Sequence, residues 1–129
     1  MNQSPITVYG IANCDTVKKA RAWLGEQGLV HEFHDFKKQG LPEPELTHWL
    51  DSVGWEKLLN RKGTSWRKLE PALQAGVHDA HSAAQVMRLQ PSLIKRPVVQ
   101  WGESGTGTVT VGFDAAAWAA LAGTGKLLP

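Results

Sequence analysis

The sequence is poor in cysteine. Its 129 residues hold a single one, Cys14, so no disulfide can close within the chain and the disulfide-stapled secreted folds are excluded. Long hydrophobic runs are lacking too, and no segment is long enough to span a bilayer as a helix. The first residues, MNQSPITVYG, have neither the basic start nor the apolar stretch of a signal peptide. A reducing, cytoplasmic setting is the expectation, with no membrane partner. An excess of one charge is also missing. The 14 basic and 12 acidic residues leave a net +2, too little by itself to announce nucleic acid or anionic lipid. There is no low-complexity tract, no internal repeat and no linker that would separate two domains.

What is present belongs to an ordinary globular chain, 42% hydrophobic and 20% charged, of a length that fits one domain over residues 1–129. ITVY, Ile6 to Tyr9, is short, β-branched and aromatic, and stops at Gly10; it reads as a buried strand. From Asp15 to Gln27 the period becomes helical, with Val17, Ala20 and Leu24 on one face and Gly25 and Gly28 bracketing the end. LVHEFHDF then alternates apolar with polar and reads as a second strand. Two strands joined by one helix predict a parallel βαβ unit.

The middle, about residues 42–92, reads as a helical insertion. LPEPELTHWLDSVG predicts a helix ending at Gly54, WEKLLN a short one, and SWRKLEPALQAG a weak one interrupted at Pro71. DAHSAAQVMRLQ predicts another, with Asp79 as its N-cap. After Pro91 the period returns to two. RPVVQW and GTVTVGF, separated by the turn-rich GESGT, predict an antiparallel hairpin. DAAAWAALAG predicts a last helix, capped by Asp114 and closed by Gly123. The order is β-α-β, a helical insertion, then β-β-α: an α/β chain with a central mixed sheet.

Free cysteines are usually buried and inert. The context of Cys14 argues for a working thiol. It follows the turn GIAN and precedes the first predicted helix, so its sulfur faces unpaired backbone N–H groups and the positive end of the helix dipole. Both favour the thiolate. Lys18, one turn on, is expected to add to this and Asp15 to oppose it slightly. Gly10 and Asn13 suit a tight loop that lets a substrate reach the sulfur.

The stretches VYGIANCDTVKKARAWL, VGWEKLLNRKGTSWRKL and SLIKRPVV, in this order, resemble the arsenate reductase-like (ArsC/Spx) family, and within it the small YffB branch. The resemblance spans nearly the whole chain. It implies a thioredoxin-like fold with the nucleophile at the start of its first helix. It implies that Cys14 attacks an oxidised substrate or a disulfide, and that Pro97 is the cis-proline beside the site. Arg96 then sits next to the sulfur, where a fixed charge with forked donors suits a thiolate or an oxyanion. Cys14 and Arg96 are the expected catalytic residues. Asn13, Asn60, Arg61, Lys62, Trp66 and Pro97 are the expected substrate-binding ones.

The match departs from the family's arsenate reductases in two places. They carry an arginine after LL, where this chain has Asn60 followed by Arg61 and Lys62, and another by the last strand, where TVGFD offers no basic residue. Both departures argue against arsenate. The Spx regulators, which bind RNA polymerase, often carry a C-x-x-C switch. Here the second position is Val17. With no resolving cysteine, an oxidised Cys14 needs an outside thiol. The expectation is a monothiol oxidoreductase with no bound cofactor, using glutathione or a protein thiol as reductant. The alternatives are a regulator of the Spx type and a true arsenate reductase.

Other signals are weaker. His31 and His34 of HEFH stand three apart in a predicted strand and point to opposite faces, so they do not suit one metal ion. His78 and His81 of HDAH could align on a helix but have no further ligand nearby, and no metal site is expected. The basic residues of NRKGTSWRKL fit a solvated face or an anion site better than a nucleic-acid patch. Trp23, Trp49 and Trp118 fall in apolar helical patterns and read as core.

Overall fold

Ile6–Gly10 forms β1 in the computed structural model, which describes residues 6–102 and 107–126. The strand is buried on both faces because its side chains alternate between two cores: Val8 packs with one cluster and Tyr9 with the other. The turn after it closes with a hydrogen bond from the Cys14 N–H to the Ile11 carbonyl, 3.1 Å. Helix α1, Asp15–Glu26, follows at once. Its Val17, Ala20 and Leu24 are fully buried, as their helical spacing predicts. Gly28, at φ 72°, lets the chain leave the helix.

Strand β2, Glu32–Asp35, lies parallel to β1, with Thr7 opposite Glu32 and Gly10 opposite Asp35. It is shorter than the alternation from Leu29 to Phe36 predicts. The Asp35 carboxylate accepts the Lys37 N–H at 2.9 Å and turns the chain into a short helix, α2, Phe36–Gln39. Helices α3 (Glu43–Val53), α4 (Trp55–Leu58), α5 (Thr64–Arg67), α6 (Pro71–Ala75) and α7 (Ala80–Leu89) fill the middle. The expected weak helix over SWRKLEPALQAG is thus two, and Pro71 starts the second rather than merely interrupting the first. Lacking an N–H, proline is at home in a first helical turn. Asp79 caps α7 as expected, accepting the Ser82 N–H at 2.8 Å while Ser82 Oγ accepts the Asp79 N–H at 3.1 Å.

A single 3₁₀ turn, Pro91–Leu93, leads to β3 (Val98–Trp101) and β4 (Thr108–Val111), which pair antiparallel with Val98 opposite Val111. Residues 103–106 of the expected turn lie outside the described residues. Helix α8, Ala115–Lys126, is capped by Asp114, whose carboxylate accepts the Ala117 N–H at 3.1 Å. It does not close at Gly123 but continues to Lys126.

The sheet order is β2-β1-β3-β4. One face carries Trp118, Leu24, Ala20, Val8 and Val99, covered by α1 and α8. The other packs Tyr9 and Val98 against Trp49, Leu58 and Met87 of the middle helices. The Trp49 indole N–H donates to the buried Gln100 side-chain oxygen at 3.1 Å and ties α3 to β3. The register decides where chemistry can occur. β1 and β3 are antiparallel, with Tyr9 opposite Val98, so the loop leaving β1 and the loop entering β3 meet at one end of the sheet.

Candidate active site

Cys14 and Arg96 occupy those two loops. Cys14 is the N-cap of α1, in extended conformation (φ −87°, ψ 126°), and its carbonyl accepts the Lys18 N–H at 2.9 Å, the first bond of the helix. The side chain is half-buried and packs against the core that holds Trp49. Its sulfur makes no formal capping bond, yet the surroundings act on its charge. Burial pushes the thiol up. The backbone N–H of Val17, the Arg96 guanidinium, acting by hydrogen bond and by charge, and the Thr16 N–H together outweigh that, and the thiol is held below its ordinary value. Lys18 does not figure among the groups that move this thiol. Its side chain is exposed, where solvent screens it.

Arg96 is positioned from its own loop. Its Nη1 donates to the Ser92 carbonyl at 2.7 Å, and Ser92 is tied to α5 by a 2.7 Å contact between its hydroxyl and that of Ser65. Its Nε–H is buried and has no partner among the described residues. The Arg96–Pro97 peptide is cis, and Pro97 is buried, its carbonyl accepting the Gly112 N–H at 2.9 Å. Asn13 is exposed in the turn just before the sulfur.

Asn60, Arg61 and Lys62 come together elsewhere. They line an open cleft of about 220 Å³ with Glu56, Lys57, Leu59 and Lys95. A short antiparallel bridge, Leu59 to Ile94, builds it: the Asn60 N–H donates to the Leu93 carbonyl and the Lys95 N–H to the Leu58 carbonyl, both at 2.8 Å. The Asn60 side chain is spent on its own turn, accepting the Lys62 N–H at 3.1 Å. Cys14 and Arg96 are not part of this lining, so the expected binding residues divide between two neighbouring places. Trp66 belongs to neither wall; it packs half-buried against the larger core. Lys57 and Lys95 were not singled out by sequence reasoning. Lys95 stands in the same IKRP stretch as Arg96, which was the available signal. Lys57 had none, because only folding brings it into one cleft with Lys95.

The histidine pairs do not assemble. His31 accepts from Arg21 Nε at 3.3 Å, whereas the His34 ring donates to the Gly40 carbonyl at 2.7 Å. His78 donates to the Gly76 carbonyl and His81 meets Gln85. Among the described residues no group of three or more His, Cys, Asp or Glu could hold a metal ion, and no helix is long and apolar enough to cross a membrane.

A mixed four-stranded sheet with a half-buried cysteine at the N-cap of its first helix and a proline at the entry to β3 defines a thioredoxin-like protein. The particular family is also clear: residues 9–121 match the ArsC family, and the chain belongs to it. A solved YffB protein is 44% identical, covering 91% of this chain and 98% of its own, with a TM-score of 0.83. An arsenate reductase (ArsC) related protein from Brucella melitensis is 46% identical over 93% of this chain and 96% of its own, with a TM-score of 0.70. The global transcriptional regulator Spx of Streptococcus agalactiae is 27% identical over 73% of this chain and 69% of its own.

Proposed function

We propose that this chain is a cytosolic monothiol reductase in which Cys14 is the nucleophile. The observation that carries the reading is the convergence on one sulfur of the α1 amide groups and the Arg96 guanidinium, which together hold the thiol below its ordinary pKa. The thiolate is the form that attacks a sulfur–sulfur bond, and a lowered pKa makes more of it available. In the first step it forms a Cys14–substrate disulfide and expels the other sulfur as a thiolate. Glutathione thiolate then attacks the Cys14 sulfur, releasing the second substrate thiol and leaving Cys14 joined to glutathione. A second glutathione attacks that adduct, giving oxidised glutathione and free Cys14 thiolate. Two glutathiones thus supply the two electrons that turn one disulfide into two thiols.

In this scheme the unpartnered Arg96 Nε–H and the Val17 and Thr16 amides stabilise the charge on whichever sulfur leaves. Asn13 borders the attacked atom and Pro97 shapes the strand entry beside it, while Trp66 contributes packing against the larger core. Arg61 and Lys62 supply positive charge for the glutathione carboxylates, on a turn that the Asn60 side chain holds in shape. Arsenate is disfavoured as substrate, since Asn60 stands where the family's arsenate reductases have an arginine.

The test is a glutathione-coupled assay on a small mixed disulfide, with Cys14→Ser as the comparison. Turnover by the native chain that disappears in the variant, with circular dichroism unchanged, is expected. Equal turnover by both would end the reading. The similarity to Spx favours a second reading, a regulator that binds RNA polymerase. Stoichiometric capture of purified RNA polymerase, with no thiol-dependent turnover, would select it.

A further inference from the structure

The cleft between α4 and the segment entering β3 holds more positive charge than glutathione can use. Its lining contributes Lys57, Arg61, Lys62 and Lys95 against one carboxylate, Glu56, a local excess of about three charges. Glutathione at neutral pH carries two carboxylates and one ammonium, so its net charge is about −1. None of the four cations forms an ion pair with a carboxylate among the described residues.

All four are exposed, and two of them, Arg61 and Lys95, also have packing contacts. The Arg61 guanidinium lies over the Trp55 ring, 5.5 Å from its centroid. The Lys95 stem runs past Gly112, where a Cβ would touch its Cε at 3.5 Å; at φ 85° that position favours glycine. The 60–63 loop is pinned by the bond from the Lys62 N–H to Asn60 Oδ1, and by Arg67 Nη1 donating to the Lys62 carbonyl at 2.8 Å. Exposed cations without counter-ions keep their charge available to a visitor.

We infer that this cleft docks an acidic segment of a partner protein, and that the disulfide presented to Cys14 therefore belongs to an acidic protein. The second clause rests on the reductase reading; the first stands without it. The cleft's small volume and open form fit two or three carboxylate side chains laid across a surface rather than an enclosed small molecule. Nucleic acid fits less well. Duplex DNA presents a charge about every 1.7 Å, whereas the cationic lining is confined to one cleft of a chain whose net charge is only +2. The backbone gives the connection to the thiol. Lys95 lines the cleft and the next residue, Arg96, acts on the sulfur, so the two places are joined through consecutive residues of one loop.

The test is fluorescence anisotropy of a labelled Asp/Glu octapeptide, measured against its Asn/Gln counterpart at low salt. The native chain is expected to prefer the acidic peptide. The double variant Lys57→Gln/Lys95→Gln should weaken it about fivefold, the sum of two partly exposed ion pairs. The charge-matched control Lys37→Gln/Lys38→Gln, on α2, should leave it nearly unchanged. Cys14→Ser should bind like the native chain, which separates docking from chemistry. Equal weakening by both double variants would reduce the effect to net charge and overturn the proposal. Displacement by inorganic pyrophosphate at concentrations matching the peptide would overturn it in favour of a small-anion site. Tighter binding of duplex DNA than of the peptide would do so in favour of nucleic acid.

Discussion

At the scale of the residue, the behaviour of Cys14 is set by a contest between burial and donors. Burial alone favours the neutral thiol, and two amide groups with one guanidinium reverse it. Removing the guanidinium tips the balance back. Arg96→Gln is expected to raise the Cys14 pKa and slow alkylation by iodoacetamide at neutral pH, with the two rates converging once both thiols are ionised. Arg96→Lys should recover part of the effect, since it keeps the charge but not the fork. An unchanged pH profile would remove Arg96 from the site. The same shift has a consequence for stability. A thiol whose pKa is lower folded than unfolded binds fewer protons when folded. Its stabilising contribution is present above the unfolded value of about 8.5 and is lost as pH falls through the folded one. The stability of the native chain relative to Cys14→Ser, measured by urea unfolding, should therefore rise with pH across that window. A flat difference would contradict the shift.

At the scale of the element, Gly10 shows how strand and helix are fitted. Sequence reasoning assigns it to loop freedom beside the sulfur, but its backbone is ordinary and its role is close approach. A Cβ there would lie 2.8 Å from Val17 Cγ2, a fully buried β-branched side chain with no room to turn. Gly10→Ala is expected to cost about 1–3 kcal/mol in urea unfolding as α1 is pushed from the sheet, and to slow Cys14 alkylation, because the amides that face the sulfur move with the helix. Elements with strong internal periodicity were legible in the sequence: β1, α1, α3, α7, the β3–β4 pair, and the caps at Asp79 and Asp114. The misreadings fall where one side chain overrules the period. Asp35 ends a strand that alternation would have carried to Phe36, and Pro71 begins a helix instead of breaking one. The site divides the same way. Cys14 and Arg96 could be read from local motifs, while the cleft could not, since Lys57 and Lys95 stand far apart in sequence and only the Leu59–Ile94 bridge unites them.

At the scale of the whole molecule, the antiparallel pairing of β1 with β3 brings a thiol from the N-terminal βαβ unit to an arginine from the C-terminal half. No second cysteine comes with it, because the chain contains none. A dithiol protein would resolve its own adduct by closing an internal disulfide; this one has no such exit, so an adduct must wait for an external thiolate. The waiting species should be observable. Incubation with oxidised glutathione is expected to convert the native chain to a form one glutathione heavier by intact-mass spectrometry, with the label on the Cys14 peptide, and excess reduced glutathione should return it. Because Arg96 favours the thiolate, Arg96→Gln should form the adduct more slowly at neutral pH. Cys14→Ser should form none. If the native chain forms neither the adduct nor a disulfide-linked dimer under these conditions, oxidised glutathione does not react at Cys14, and the proposed glutathione cycle fails.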